Sequence, residues 1–414
     1  PWRDNVLIFT LDGGGDGICA TVCIGNDGKF KRIAQTKTGN SIGNLYSRTT
    51  YLLGMKPWEH EWKVSGLAPY APEEGTKKAY QVFKKFLTLP DDSLTFQNLT
   101  NVRSHDFYPL LRKRLEGIRF DMICGGVQRI TEELITKWIK NAIKKTGNHK
   151  IVLGGGVFMN VKVNLAISKL KEVENMFVFP SCGDESLAIG AAYYVYKEKT
   201  QNKIPPLQEI YFGTEYSGEE IELSVSDEFE IEYHKDIEKV IGDLVADNEI
   251  VANFQGRMEW GARALGNRSI LADPSDRDNI KKLNLMIKHR DWFMPYSPSI
   301  LDIDADKYIE NPKQIRAPYM IMAFDTKSKN IDDMIAAVHP YDLTARPQIL
   351  EKEWNPRYYK IIERFRKRTG RGVILNTSFN LHGDPIVCSP QDAIYTFKKS
   401  DLKYLAMGNY LVIK

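Results

Sequence analysis

Cysteine is scarce and never clustered in this chain: Cys19, Cys23, Cys124, Cys182 and Cys388 include no Cys-x-x-Cys pair and are odd in number. That excludes a disulfide framework and a zinc finger, and it predicts a reduced, cytoplasmic protein. No apolar run reaches the length of a membrane span, and no charged-then-apolar leader opens the chain. Strong charge of one sign is missing too. The net charge is +4, from 57 basic and 53 acidic residues, so small phosphate-bearing ligands satisfy it and nucleic acid is not required. Repeats, heptads and low-complexity tracts are absent. What is present, 43% hydrophobic and 27% charged residues, belongs to a folded globular chain. Its 414 residues exceed what one core usually supports, so two domains are expected. The chain starts at Pro1 with a strand-like run close behind it, and the expectation is that a segment upstream is missing.

Val6–Leu11 reads as a strand, Asp12–Gly17 as a tight turn and Ile18–Ile24 as the return strand, ending at Asn26-Asp-Gly28. Val127, Ile130, Leu134, Trp138 and Ala142 recur at helical spacing, and Lys144-Lys-Thr-Gly147 ends that helix. Then come a strand at Ile151–Leu153, the loop Gly154-Gly-Gly156, a helix over about 160–170, a strand at Met176–Phe179 and a helix opened by Gly183-Asp-Glu-Ser186. This β, Gly-loop, α, β, α order predicts an α/β lobe with ligand loops at the carboxyl ends of strands. The polar stretch Lys197–Pro206 reads as a linker, which places the domains at 1–205 and 206–414. The second half offers a helix at Ile237–Ala246, strands at Ile250–Phe254 and Gly372–Leu375, and a helix start at Ser389-Pro-Gln-Asp392. It reads as α+β.

Two glycine turns can bring backbone N–H groups to an anionic oxygen: Gly13 and Gly14 after Asp12, and Gly154, Gly155 and Gly156. Asp12 and Asp184 supply carboxylates suited to a hard cation, with turn formation or helix capping as the competing role. Further on, Arg257, Arg263 and Arg268 are spaced by six and five, which fits no single helical face, and glycines at 256, 261 and 266 interrupt the run. That is loop chemistry, and arginine forks match phosphate and carboxylate. A surface ion-pair network with Glu259, Asp273, Asp276 and Asp278 is the alternative. Lys288, Arg290 and Arg346 add charge. Asn376, Thr377, Ser378 and Asn380 follow a strand, where amides and hydroxyls can reach a phosphate, although such residues also form plain turns. Lys63 reads as a surface lysine.

The runs Ser41-Ile-Gly-Asn-Leu-Tyr46, Glu61–Tyr70, Gly154–Asn160 and Gly183–Ala192 resemble the ASKHA-type domain, actin-like and similar to tRNA threonylcarbamoyl transferase, of the O-carbamoyltransferases of nodulation-factor and antibiotic biosynthesis. Arg257–Pro274, Lys288–Pro298 and Asn376–Val387 resemble the YrdC-like domain of the same enzymes. The resemblance implies an incomplete ASKHA domain followed by a YrdC-like α/β domain. It implies that the second domain forms carbamoyl-adenylate from carbamoyl phosphate and ATP with its Mg2+, and that the first passes the carbamoyl group to a hydroxyl of a sugar, antibiotic or modified nucleobase. On this reading Arg257, Arg263, Arg268, Lys288, Arg290 and Arg346 offset charge, and Ser378 and Asn380 orient the carbamate or phosphate. Gly13, Gly14, the Gly154–Gly156 loop, Asn160, Asn376 and Thr377 hold the nucleotide, and Asp12 and Asp184 ligate Fe(II) or another divalent metal. A homodimer is compatible, and no membrane partner is implied.

One departure matters. The family's other two metal ligands form a His-x-x-x-His pair, and none of the seven histidines (His60, His105, His149, His234, His289, His339, His382) are four apart. A missing upstream segment is the favoured reason, loss of the metal-assisted step the other. Competing readings are a threonylcarbamoyl-adenylate or hydrogenase-maturation enzyme, whose zinc fingers this cysteine spacing cannot build, and a catalytically impaired nucleic-acid-binding or scaffold homologue.

Overall fold

Leu7, Phe9 and Leu11 are buried while Ile8 is half-buried and Thr10 exposed, the alternation of an inner strand with one face laid on the core. In the computed structural model, which describes residues 2, 4–200, 202–207, 209–225 and 228–414, that is the place this strand takes. Pro1 lies outside the described residues. The chain divides into two compact units: residues up to Pro206 together with Lys313–Ile315, and Leu207–Pro312 with Arg316–Lys414.

The first unit contains β1 (Val6–Gly15), β2 (Ile18–Asn26), β3 (Lys29–Lys37), α1 (Ile42–Leu52), α2 (Glu61–Leu67), α3 (Glu73–Phe83), a small ribbon of β4 (Leu87–Thr88) and β5 (Gln97–Asn98), α4 (Tyr108–Arg114), α5 (Phe120–Thr146), β6 (Lys150–Gly154), α6 (Val161–Ser168), β7 (Asn175–Val178) and α7 (Ser186–Thr200). Its main sheet runs β3-β2-β1-β6-β7: an antiparallel meander whose inner strand pairs in parallel with β6, and β6 with β7. The expected turn at Asp12–Gly17 is shorter than the glycine run suggests. β1 continues through Gly15 past a register shift, and only Asp16 (φ 51°) and Gly17 (φ 80°) turn. Two successive positive φ values are what a two-residue hairpin needs to match the strand twist. The helix read from Val127 to Ala142 is α5, stopped by Gly147 in the left-handed conformation at φ 72°. It buries Trp138 edge-on against Phe9, ring centroids 4.9 Å apart, with the indole N–H bonded to the Leu94 carbonyl at 2.9 Å. The linker reading at Lys197 is corrected at its start: α7 runs on to Thr200, with Lys197 and Lys199 in its last turn, where cations suit the helix dipole.

The second unit contains α8 (Gly218–Ser224), β8 (Glu230–Tyr233), α9 (Ile237–Ala246), β9 (Val251–Phe254), β10 (Arg268–Ala272), α10 (Asp278–Leu283), β11 (Ser297–Leu301), α11 (Ala305–Tyr308), β12 (Gln348–Leu350), α12 (Pro356–Thr369), β13 (Val373–Ser378), α13 (Pro390–Lys399), β14 (Tyr404–Met407) and β15 (Tyr410–Ile413). Eight strands form one mixed sheet in the order β12-β11-β13-β10-β9-β14-β15-β8. Period-two alternation sorts its side chains. Ala252, Ile270 and Leu375 pack with Ala393 and Phe397 of α13 on one face. Val251, Leu271 and Ile374 pack with Ile241 of α9 and Ile361 and Phe365 of α12 on the other. Each fully buried Val, Leu, Ile or Phe among them contributes about 2 kcal/mol by transfer from water. α13 starts as the sequence indicates, with Ser389 and Asp392 closing a capping box. Both units are mixed α and β.

Candidate functional site

In the first unit three of the motif runs converge on β1 and the loop after β6. Ser41 caps α1, accepting from the Asn44 N–H at 3.1 Å, and its hydroxyl donates to the Asp12 carbonyl at 2.9 Å. The Asp12 carboxylate accepts from the Gly13 N–H at 2.7 Å and the Gly156 N–H at 3.1 Å. Two of the amides expected to face a phosphate therefore already hold an anion of the protein itself. Gly155 is required for another reason. Its φ is 101°, and a Cβ there would lie 2.4 Å from the Leu11 carbonyl oxygen. A Cβ on Gly14, φ 144°, would meet the Thr38 side chain at 2.4 Å. Of the five glycines expected to cradle a phosphate, Gly154 alone faces open space. Asn160 caps α6 through the Lys162 and Val163 N–H groups and donates to Gln128 Oε1 at 2.8 Å. Gln128 also accepts from the Tyr46 hydroxyl at 2.9 Å and donates to Glu132 at 2.7 Å. Burial pushes the Tyr46 phenol well above its ordinary value, so it stays a neutral donor.

The expected metal site does not assemble from these residues. Both Asp12 oxygens accept backbone N–H groups, and Asp184 is exposed just ahead of α7. Among the described residues no three His, Cys, Asp or Glu side chains cluster as a ligand set. Two carboxylates, one of them committed to amides, are too few donors to fit a divalent ion.

In the second unit the expected residues separate into two groups. Asn376, Thr377 and Ser378 lie inside β13 rather than after it, because Asn376 pairs with Ser297 of β11 and Leu271 of β10. The Asn376 amide donates to the Ala264 carbonyl at 3.3 Å and Ser299 Oγ at 3.2 Å. At the strand's carboxyl end Lys288 is buried, reached by a π-helical turn over Asn284–Lys288 that ends with His289 left-handed at φ 43°. Such turns re-aim side chains and recur at functional sites. Four oxygens surround the Lys288 ammonium: the Ser378 carbonyl, Ser378 Oγ at 3.2 Å, the Asn380 carbonyl at 3.2 Å and Asn380 Oδ1 at 2.6 Å. Three N–H donors against four acceptors leave none over for a ligand. Arg290 donates to Thr377 Oγ1 at 2.9 Å and lies 4.9 Å from the Tyr296 ring centroid. Arg346 donates to Ser297 Oγ at 2.7 Å.

Burial, with the charge of Arg290, pushes the Lys288 ammonium well below the usual lysine value. Burial, then the charges of Arg263 and Arg290, does the same to the Arg346 guanidinium. Arg290 is lowered by burial and partly restored by Tyr296. No carboxylate enters any of the three balances. Cations packed together without a counter-charge favour whatever anion enters among them.

Arg268 and Arg257 are corrections to the expected set. Arg268 is not in a loop but opens β10, fully buried, its guanidinium 3.7 Å from the Phe254 ring centroid. It donates to the backbone carbonyls of Gln255 (2.7 Å), Asn267 (3.1 Å), Thr214 (3.2 Å) and Gly256 (3.2 Å), so it braces the scaffold. Arg257 is exposed and donates to the carbonyls of Phe212 and Gly213. The ion-pair alternative fails in part as well: Asp273 pairs with Arg371 and Asp276 with Lys282, while Glu259 is buried. Sequence reasoning missed Gln128 and Glu132, one turn apart on α5 and unmarked by any motif, and Ser297, which the run at 288–298 contained.

This arrangement, two α/β units of which the second gathers uncompensated cations at one strand end, has relatives. The chain belongs to the carbamoyltransferase family: the carbamoyltransferase N-terminus matches residues 1–193 and the carbamoyltransferase C-terminus matches 242–414. It is a carbamoyltransferase. An uncharacterized protein of Methanocaldococcus jannaschii is 37% identical over 99% of this chain and 79% of its own length. Nodulation protein NolO of Bradyrhizobium diazoefficiens is 32% identical over 99% of this chain and 76% of its own length, and nodulation protein NolNO of Sinorhizobium fredii 32% identical over 99% and 61%.

Proposed function

We propose that this carbamoyltransferase is an ATP-dependent O-carbamoyltransferase, the first unit being an ASKHA-type domain at 1–205 and the second a YrdC-like domain at 206–414. The observation that carries the reading is the group of buried cations Lys288, Arg290 and Arg346, into whose charge balances no carboxylate enters, with Arg263 close enough to Arg346 to add to its charge. Carbamoyl phosphate is hydrolysed to carbamate and phosphate. A carbamate oxygen then attacks the α-phosphorus of ATP, brought as its Mg2+ complex, and pyrophosphate leaves. Arg263, Arg290 and Arg346 hold the polyphosphate and the leaving pyrophosphate, a positioning and electrostatic role. Lys288 fixes Ser378 and Asn380, which orient the carbamate from the end of β13, and it adds charge without direct contact. In the second step an acceptor hydroxyl, of a sugar, antibiotic or modified nucleobase, attacks the carbamoyl carbon and AMP leaves. No metal is assigned a step, since Asp12 and Asp184 alone do not fit one.

The test is ATP–pyrophosphate exchange dependent on carbamoyl phosphate. The unaltered chain supports it, and Arg346→Ala lowers it by roughly 100-fold or more, the scale for removing one preorganised donor at developing charge. Normal exchange in Arg346→Ala removes that residue from the site. No exchange by the unaltered chain, with salt-sensitive nucleic-acid binding instead, turns the reading toward an impaired binding homologue.

A further inference from the structure

Between Glu259 and Arg268 the chain makes a loop with Arg263 at its middle, flanked by small residues (Gly261, Ala262, Ala264) that give it little packing of its own. Its returning leg is bolted to the sheet. The Leu265 carbonyl accepts from the Tyr211 hydroxyl at 2.8 Å and the Gln348 amide at 3.0 Å, and the Ala264 carbonyl from Asn376 at 3.3 Å. The outgoing leg is held by the Trp260 N–H, which donates to the Ile210 carbonyl at 2.7 Å, and is joined to the returning leg by the Glu259 side chain. Glu259 is buried, and its Oε1 accepts the Leu265 N–H at 2.5 Å and the Arg268 N–H at 3.3 Å.

We propose that Glu259 is a positioning residue, its carboxyl closing the 259–268 loop so that Arg263 is held beside Arg346. The claim concerns how the anion site is built, and it rests on the reading of that site as one for a phosphate-bearing ligand. The geometric role of Glu259 is that of an acceptor for two backbone N–H groups of the loop. Its Oε1 does the tying, while its Oε2 is buried with no hydrogen-bond partner among the described residues; burial raises the pKa of the acid and the Arg268 charge opposes that rise. An amide of the same shape then does the same job, since Gln retains the accepting oxygen. Glu259→Asp keeps the acid but draws the acceptor back by about one carbon–carbon bond, out of reach of the Leu265 N–H.

Calorimetric titration with inorganic pyrophosphate tests this without depending on turnover. Glu259→Asp and Glu259→Ala are expected to bind it about tenfold more weakly than the unaltered chain, the loss for one charge-assisted contact misplaced. Glu259→Gln binds within about twofold of the unaltered chain. Glu259→Asp adds nothing once Arg263→Ala is present, because the two changes remove one interaction. The proposal is overturned if Glu259→Gln is as weak as Glu259→Asp, if Glu259→Asp binds normally, or if its loss multiplies that of Arg263→Ala. Should the unaltered chain bind pyrophosphate in these ratios yet fail to catalyse exchange, the activity reading falls and the positioning role stands. No binding by the unaltered chain overturns both.

Discussion

The two candidate regions use polar chemistry in opposite ways. Around Asp12 and Asn160 the polar groups satisfy one another: carboxylate to glycine amides, Asn160 to Gln128, Gln128 to Tyr46 and Glu132. Around Lys288, Arg290 and Arg346 the hydrogen bonds are internal as well, but the charge is not balanced. A closed network stabilises the fold whether or not a ligand comes. Uncompensated cations destabilise the free protein and are relieved by an anion, so binding energy is stored where charge, rather than hydrogen bonding, is unsatisfied.

The contrast can be broken from several directions. The largest expected effect belongs to Arg268, which stands beside the cation cluster in sequence but not in role. Arg268→Ala leaves four backbone carbonyls without their donor and should destabilise by on the order of 4 kcal/mol in urea unfolding. A loss of exchange at unchanged stability would instead return Arg268 to the ligand site. Next, pyrophosphate at 100 times its Kd should add about 2.7 kcal/mol of stability, read as slowed amide exchange over residues 284–290 and 376–380. Equal slowing at residues 12–15 and 154–160 would erase the distinction between the regions. Asn160→Ala should cost about 1 kcal/mol through the lost α6 cap, with pyrophosphate affinity unchanged. Smallest of all, Arg257→Ala should change stability by less than about 0.5 kcal/mol and leave exchange alone. A tenfold fall in exchange would show that its exposed guanidinium turns to the ligand.

Local features were legible because local physics decides them: Gly147 ending α5, the Ser389 capping box, and α9 with its apolar spacing. The charge of the second unit was legible as composition, yet its direction was not. Arg263 and Arg268 look alike in a glycine-punctuated run. Which one meets carbonyls and which one meets other cations depends on β10 pairing with β9 and β13, contacts distant in sequence. Likewise β13 outlasts its apolar run, since Asn376 finds ladder partners on both sides that no window around it reveals. Gln128 was invisible for a simpler reason: a glutamine on a long helix carries no signal of what faces it.

The loop after β6 bears on how substitutions in related chains should be interpreted. At Gly155 any side chain would collide with the Leu11 backbone, so an invariant glycine there reflects the closeness of two strands and carries no information about a ligand. At Gly154 a Cβ would meet nothing within 4 Å, so the protein itself tolerates change. Natural selection against alanine at Gly154 is therefore where a bound nucleotide would leave its record.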